Sequence, residues 1–388
     1  MNNNRFKVLG SLGIVALLSA CAVTPSQPDK DFGQPSARYG DVDVTRPELQ
    51  IPDSVEPLFD TWLRDTYVMS APDGYYYMTG TIAQEGRVTA YDQNPGIQLW
   101  RSKDLKDWED MGVVWDFDKH GTWQKDFYIA DGKQKVDLNK NPVSNKRRTL
   151  WAPEIHYIES QQNYFLVGCM PLNPKGSGSF VLRSTTGKAE GPYENIEGNS
   201  DGFLHPDIDG SLFEDDDGSV YFVAHNHYIA KMKDDMSDIA EPFREIDEQE
   251  YDIEPYIEGA YIFKDDGKYH LVQAIWSFQL PDGRYAYDEE KPGRAFKNNK
   301  EIGEARYSYD VVIATADNVY GPYSQRYTSV IGAGHNNFFK DKQGNWWSTM
   351  FGNPRGDLLE RKFLTRPAVI PMQKVNGYFF PLQDQEKQ

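Results

Sequence analysis

From about residue 60 onward, short runs of alternating β-branched and aromatic residues recur, broken by glycine turns. Asp73-Gly74 precedes Tyr75-Tyr76-Tyr77-Met78, and Asp217-Gly218 precedes Val220-Tyr221-Phe222-Val223. Asp266-Gly267 precedes Tyr269-His270-Leu271-Val272, and Gln343-Gly344 precedes Trp346-Trp347. Alternation of this kind predicts half-buried strands, and Asp-Gly between two of them predicts a hairpin closed by a type I′ turn. A second pattern follows the hairpins. Ile97-Gln98-Leu99-Trp100-Arg101-Ser102 leads to Trp108, Phe180-Val181-Leu182-Arg183-Ser184 to Gly191-Pro192-Tyr193, and Val311-Val312-Ile313-Ala314 to Gly321-Pro322-Tyr323. These read as a third strand, a turn and an outer fourth strand. Helical periodicity is hard to find after residue 40. Four-strand units recur near 60–116, 150–196, 207–248, 256–327 and 333–382, separated by insertions at Lys119–Arg148 and Leu280–Glu304. Such a repeat predicts an all-β, five-bladed β-propeller. Two stacked β-sandwiches are the competing architecture, and the recurring hairpin-plus-Gly-Pro-Tyr pattern favours the propeller.

The first 45 residues follow a different logic. Arg5 and Lys7 precede an apolar run from Val8 to Leu18, which is short of the roughly 20 residues a spanning helix needs and fits the core of a secretory signal. Leu18-Ser19-Ala20-Cys21 resembles a bacterial lipobox, in which Cys21 is acylated and becomes the mature N-terminus. Residues 1–21 are therefore expected to be a lipoprotein signal, 22–45 a flexible tether, and 46–388 the propeller, held by lipid at the membranes of a bacterial cell envelope. With Cys21 acylated, Cys169 has no disulfide partner and reads as a buried free thiol.

Composition narrows the partners. The formal net charge is −18, from 59 acidic against 41 basic residues. Nucleic acid, which calls for a basic footprint, is excluded as a partner. Aromatic residues make up 14% of the chain, which suits faces that stack on sugar rings but also suits any large β-protein.

The chemistry-bearing residues open the first strand of each unit. They are Asp65 in Arg64-Asp65-Thr66-Tyr67-Val68, Glu154 in Trp151-Ala152-Pro153-Glu154-Ile155-His156, Asp209 in Ile208-Asp209-Gly210-Ser211, Glu258 in Glu258-Gly259-Ala260-Tyr261, and His335 in Gly334-His335-Asn336. Innermost propeller strands surround the axis, so equivalent starts converge at one end of it. Carboxylates brought together raise one another's proton affinity, and one can stay protonated while another is ionised. Glycosidic cleavage needs such a pair. Each acid taken alone is as well explained as a turn or capping residue.

In their order and spacing these five segments resemble glycoside hydrolase family 43 over nearly the whole stretch from Asp60 to Leu382. The resemblance implies a five-bladed propeller that hydrolyses glycosidic bonds with inversion. It makes Asp65 the general base, Glu258 the general acid and Asp209 the residue that orients Glu258 and tunes its ionisation. Glu154, His156, Trp151 and His335 line the substrate pocket, and His335 is also a candidate for holding a calcium ion at the axis. No cofactor is required. Thr66, Gly210 and Ala260 stand where the family frequently has proline, which marks a divergent branch. The implied reaction is exo-acting removal of a terminal arabinofuranose- or xylose-like sugar from plant or algal polysaccharide fragments. The alternatives are a 3,6-anhydro-galactosidase on agar-type oligosaccharides and a surface glycan-binding propeller without turnover.

Weaker constellations remain. His225-Asn226-His227 places two imidazoles on one strand face but has no third ligand. His205 stands near the acidic segments as a sugar contact or a structural residue, His120 and His270 read as structural, and Trp100, Trp108, Trp346 and Trp347 as blade core. Glu214-Asp215-Asp216-Asp217-Gly218 is a solvated hairpin tip, without the ligand spacing of a helix–loop–helix calcium site.

Overall fold

A computed structural model of the chain describes residues 46–82, 94–126, 149–173, 176–225, 227–248, 256–281, 283, 285–287, 305–353, 356 and 358–384. The expected signal, the tether with Cys21, Asn226 and most of both insertions lie outside the described residues.

Five antiparallel sheets form five blades, and their strands are consecutive in sequence. Blade 1 holds β1 (Leu63–Ser70), β2 (Tyr76–Ile82), β3 (Gly96–Ser102) and β4 (Trp108–Asp116). Blade 2 holds β5 (Trp151–Ile158), β6 (Asn163–Asn173), β7 (Gly176–Ser184) and β8 (Tyr193–Asn195). Blade 3 holds β9 (Ser211–Glu214), β10 (Val220–Ala224), β11 (Tyr228–Lys231) and β12 (Arg244–Glu245). Blade 4 holds β13 (Ile257–Asp265), β14 (Lys268–Gln279), β16 (Arg306–Ala316) and β17 (Tyr327–Val330), and β15 (Tyr285–Tyr287) adds to β14. Blade 5 holds β18 (Phe338–Lys340), β19 (Trp346–Phe351), β20 (Pro367–Val375) and β21 (Tyr378–Pro381). The molecule is the expected all-β, five-bladed propeller.

The core lies between blades, because each sheet is apolar on both faces and each face needs a neighbour. Met69, Leu99 and Trp115 of blade 1 pack on Ile155, Leu166 and Phe180 of blade 2. Phe165 and Val181 meet Leu212 and Phe222 of blade 3, and Phe213 and Val223 meet Ile262 and Leu271 of blade 4. Val312 and Tyr327 meet Ile370 and Phe379 of blade 5, while Phe339 and Val369 meet Leu63 and Met78 of blade 1. Five interfaces close the ring. At the closing one, Asn337 Oδ1 accepts the Val68 N–H at 2.9 Å and its Nδ2 donates to the Val68 carbonyl at 2.7 Å.

The turns depart in detail from the sequence expectation. Of the four expected hairpin turns, only Asp266-Gly267 has both central residues left-handed, at φ 48° and 74°, as a type I′ turn requires. At Gly74, Gly218 and Gly344 the glycine alone is left-handed, and its N–H donates back to Ala71, Asp215 and Asp341. These are type I turns followed by a glycine bulge, the three-residue solution to the same hairpin.

The start of the inner strand is where the fold positions its chemistry. In blade 1, Arg64 pairs with Thr81 and Tyr67 with Thr79, so Asp65 and Thr66 together oppose Gly80. A Cβ at Gly80 would stand 2.6 Å from the Arg64 carbonyl oxygen, so the bulge requires glycine opposite it. Blade 2 repeats the irregularity between Trp151 and Glu154, and blade 4 repeats it between Glu258 and Tyr261. The left-handed residues at these points are Asp65 (φ 51°), Ala152 (40°), Asp209 (58°), Gly259 (60°) and His335 (59°), one per blade. A bulge of this kind re-aims side chains at a sheet end.

Candidate active site

Asp65, Asp209 and His335 occupy the left-handed positions of blades 1, 3 and 5 themselves. Asp and His tolerate that conformation better than most residues. Glu258 precedes the left-handed Gly259, and Glu154 follows Ala152 by two residues. The polar residues are therefore not strictly equivalent along their strands, as the sequence pattern had implied, although the structure brings them together.

His335 is the hub. Its Nδ1 lies 3.5 Å from Asp65 Oδ1, and its ring packs so closely on the Gly259 backbone that a Cβ there would approach it to 2.9 Å. Burial works against its charged form, but Asp65, Asp209, Glu258 and Glu154 together outweigh that and raise its proton affinity. All four carboxylates thus lie within electrostatic reach of this imidazole.

Asp209 is 6% exposed. Burial pushes its carboxyl up to about 7; the His335 charge opposes this, while Glu258 and Asp65 add to it. Near neutrality the cluster thus shares fewer charges than its four carboxyls could carry. The buried, free Cys169 thiol lies 3.3 Å from the Trp151 carbonyl oxygen and 3.8 Å from Asp209 Oδ1. Its own ionisation is suppressed by burial and by Asp209, so it stands there as a neutral thiol.

Glu258 is held by aromatic donors. Trp276 Nε1 and the Tyr309 hydroxyl donate to Oε2 at 3.3 and 3.1 Å, and the Tyr256 hydroxyl donates to Oε1 at 3.3 Å. The rings of Trp276 and Tyr309 pack together at 4.4 Å between centroids, tilted by 32°. Burial and the neighbouring carboxylates keep the Tyr309 phenol protonated, so it remains a donor. Oε1, with one contact against two, is the less encumbered oxygen. Asp65 Oδ2 accepts from the Thr81 hydroxyl at 2.6 Å.

Glu154 is backed by a chain of hydrogen bonds. Its Oε2 lies 2.8 Å from His156 Nε2, and His156 Nδ1 lies 3.2 Å from the Tyr67 hydroxyl. Burial and Glu154 hold Tyr67 protonated, so Tyr67 donates to Nδ1 and His156 donates to Glu154. Both nitrogens of His156 are engaged within the protein, which makes it the support of Glu154, whereas the sequence reading placed it against substrate. Trp151 is half-buried, and its indole N–H has no acceptor among the described residues.

His205, His120 and His227 contact other groups of the protein. His205 packs on Phe243 at 4.1 Å and accepts the Asp207 N–H at 3.2 Å, and His120 accepts the Asp116 N–H at 2.9 Å. His227 turns toward Glu248 at 4.0 Å. Among the described residues no group of three or more His, Cys, Asp or Glu side chains is placed to hold a metal ion. Calcium takes oxygen ligands, and His335 itself offers only ring nitrogens. Trp100 is core, and the half-buried Trp108, Trp346 and Trp347 pack against the core clusters.

Sequence reasoning missed Thr81, Tyr256, Trp276 and Tyr309. Each lies on another strand or segment from the carboxylate it serves or beside it in an aromatic run, so no local signal distinguishes it from blade core.

A propeller with acidic residues gathered where its inner strands begin is the architecture of a class of carbohydrate-cleaving enzymes. The profile of glycosyl hydrolases family 43 matches residues 55–371, and the chain belongs to that family, whose members hydrolyse glycosidic bonds. It is 26% identical to the β-D-galactofuranosidase xynD of Aspergillus niger, over 62% of this chain and 71% of that protein. It is 23% identical to a putative β-xylosidase of Escherichia coli, over 69% of this chain but only 41% of that protein. Among solved structures, an endo-arabinase from Bacteroides thetaiotaomicron aligns with a TM-score of 0.53 at 19% identity, covering 84% of this chain and 99% of that one, and supports the fold alone.

Proposed function

We propose that the chain is an exo-acting, inverting glycosidase that removes a terminal arabinofuranose- or xylose-like sugar from polysaccharide fragments. The observation that carries this reading is the gathering of Asp65, Asp209 and Glu258 around His335. In it, Asp65 takes a proton from water as the water attacks the anomeric carbon. Glu258 gives its proton to the departing glycosidic oxygen, and Asp209, partly protonated near neutrality, keeps Glu258 in place and limits the charge around it. Glu154, fixed by His156 and Tyr67, and the half-buried Trp151 bind the sugar. Exo action and the sugar class are supported by the names of the relatives, a galactofuranosidase and a β-xylosidase. The former adds a galactofuranosyl end, with the same ring size as arabinofuranose, to the candidates.

A panel of aryl α-L-arabinofuranoside, β-D-xyloside and β-D-galactofuranoside, run with the matching oligosaccharides, tests the reading. Residues 22–388 should release one monosaccharide, and Glu258→Gln should lower turnover by at least about 10²-fold on oligosaccharides. The loss should be smaller on aryl glycosides, whose leaving groups need less proton assistance. Saturable binding without release across the panel would favour a glycan-binding role. We propose further that Cys21 anchors the chain by lipid at the cell envelope. Cys21→Ala should then move it to the soluble fraction, and retention in the membrane fraction would contradict the anchor.

A further inference from the structure

We propose that Thr81 is a positioning residue for the general base, and that its hydroxyl decides which oxygen of Asp65 receives the proton of the attacking water. The inference rests on the reading of Asp65 as that base. A threonine hydroxyl has one hydrogen to donate and two lone pairs to accept with. The N–H of Ala152 points at Thr81 Oγ1 from 2.7 Å, and an amide can only donate. Asp65 Oδ2 lies 2.6 Å from the same oxygen, and an ionised carboxylate can only accept. Thr81 is 1% exposed, so water does not compete for its hydrogen. With its acceptor side taken, the single hydrogen is committed to Oδ2. The polarity of the chain runs from the Ala152 amide through Thr81 to Asp65 and has no alternative.

The local fold builds this arrangement from two blades. Thr81 sits on β2 opposite Arg64, beside the bulge that throws Asp65 out of the β1 ladder. Ala152, left-handed at φ 40°, is the first residue of the matching bulge in β5, which directs its N–H across the blade 1–blade 2 boundary. The two irregularities meet at one hydroxyl.

The consequence is a division of labour between the two oxygens of Asp65. Oδ2 is engaged by a short hydrogen bond. Oδ1 has His335 Nδ1 at 3.5 Å, too long for a strong bond, and is free to act. When water attacks, one water O–H bond breaks and its proton bonds to Oδ1. The oxygen's electron pair forms the bond to the anomeric carbon, and the electron pair of the cleaved glycosidic bond leaves with the oxygen that Glu258 protonates. Thr81 keeps its hydrogen throughout. Its role is to hold the carboxylate in plane and stabilise its ionised form, which hydrogen bonding to a charged group favours.

Thr81→Val keeps the size and branching of the side chain and deletes both bonds. It should lower kcat by about ten-fold or more while KM changes little, the pattern of an interaction that matters for the chemical step. The acidic limb of the pH–rate profile should move to higher pH, and Thr81→Ser, which restores the hydroxyl, should recover both. Thr81→Cys, a similar size with a far weaker donor but an atom that still faces the Ala152 N–H, gives the same reading if leaving that N–H unpaired disturbs the valine variant. Wild-type kcat and pH profile in Thr81→Val would overturn the proposal, as would equal impairment by valine and serine. Asp65→Asn measured alongside separates the two levels. If Asp65→Asn is inactive while Thr81→Val behaves as wild type, only the role of Thr81 falls; if Asp65→Asn stays active, the base assignment falls with it.

Discussion

The imidazole of His270 lies flat on Phe263, with centroids 4.6 Å apart and planes 7° from parallel, and Phe379 meets it edge-on at 5.3 Å. It is 2% exposed, and both its nitrogens are buried without a well-formed hydrogen bond among the described residues. Burial pushes its proton affinity down to about 4, below the roughly 6.5 of a free histidine. The unfolded chain therefore binds a proton that the native state refuses, and the native state loses stability as pH falls through that interval. The contribution is complete above about pH 6.5 and lost by about pH 4, and at roughly 1.4 kcal/mol per pK unit it amounts to about 3 kcal/mol. His270→Phe, which continues the aromatic stack, should flatten the fall of Tm between pH 6.5 and 4 while leaving neutral stability nearly unchanged. Parallel Tm curves for the two proteins across that range would contradict this account. Asp209 has the opposite sign. Its carboxyl, raised to about 7, contributes stability on the acid side that is lost as pH rises through neutrality, so protonation of the site itself does not explain acid unfolding.

Strands and hairpins were legible in the sequence because they are local. Alternation named residues of β2, β10, β14 and β19, and glycine after a polar residue located the hairpins that lead into them. The turn type was less legible: Asp73-Gly74 and Asp217-Gly218 look like Asp266-Gly267 in sequence, yet only the last pair is left-handed at both residues. The bulges were not legible at all. A bulge belongs to two strands in register, and nothing near Asp65 announces that Gly80 will oppose two residues. For the same reason Asp65, Asp209 and Glu258 were found as polar residues interrupting strand starts, whereas Thr81, Trp276 and Tyr309 were not. The departures at Gly210 and Ala260 also gain a physical reason. The Gly210 N–H donates to Ser179 Oγ at 3.1 Å and the Ala260 N–H to the His225 carbonyl at 3.1 Å. Proline at either position would delete a bond between blades.

At the scale of the molecule, chemistry and stability share one geometry. Five apolar interfaces fix the angular positions of the blades, and the inner strand starts then bring Asp65 and His335, 270 positions apart, to one site. Residues 46–58, which precede the first blade, pack against blades 4 and 5. Leu49 and Val55 enter the blade 4–blade 5 core, and the Leu58 N–H donates to the Pro367 carbonyl at 2.8 Å. A tether ending at residue 45 would therefore join the propeller at a segment already built into its closure. The central claim is that three carboxylates around His335 carry out an inverting hydrolysis. Its most direct test is proton NMR of the sugar released in the first minutes of reaction, with wild type and Asp65→Asn compared on the best substrate. The account predicts that wild type releases first the anomer opposite in configuration to the substrate, and that Asp65→Asn releases none. Initial release of the retained anomer, or unimpaired release by Asp65→Asn, would contradict it.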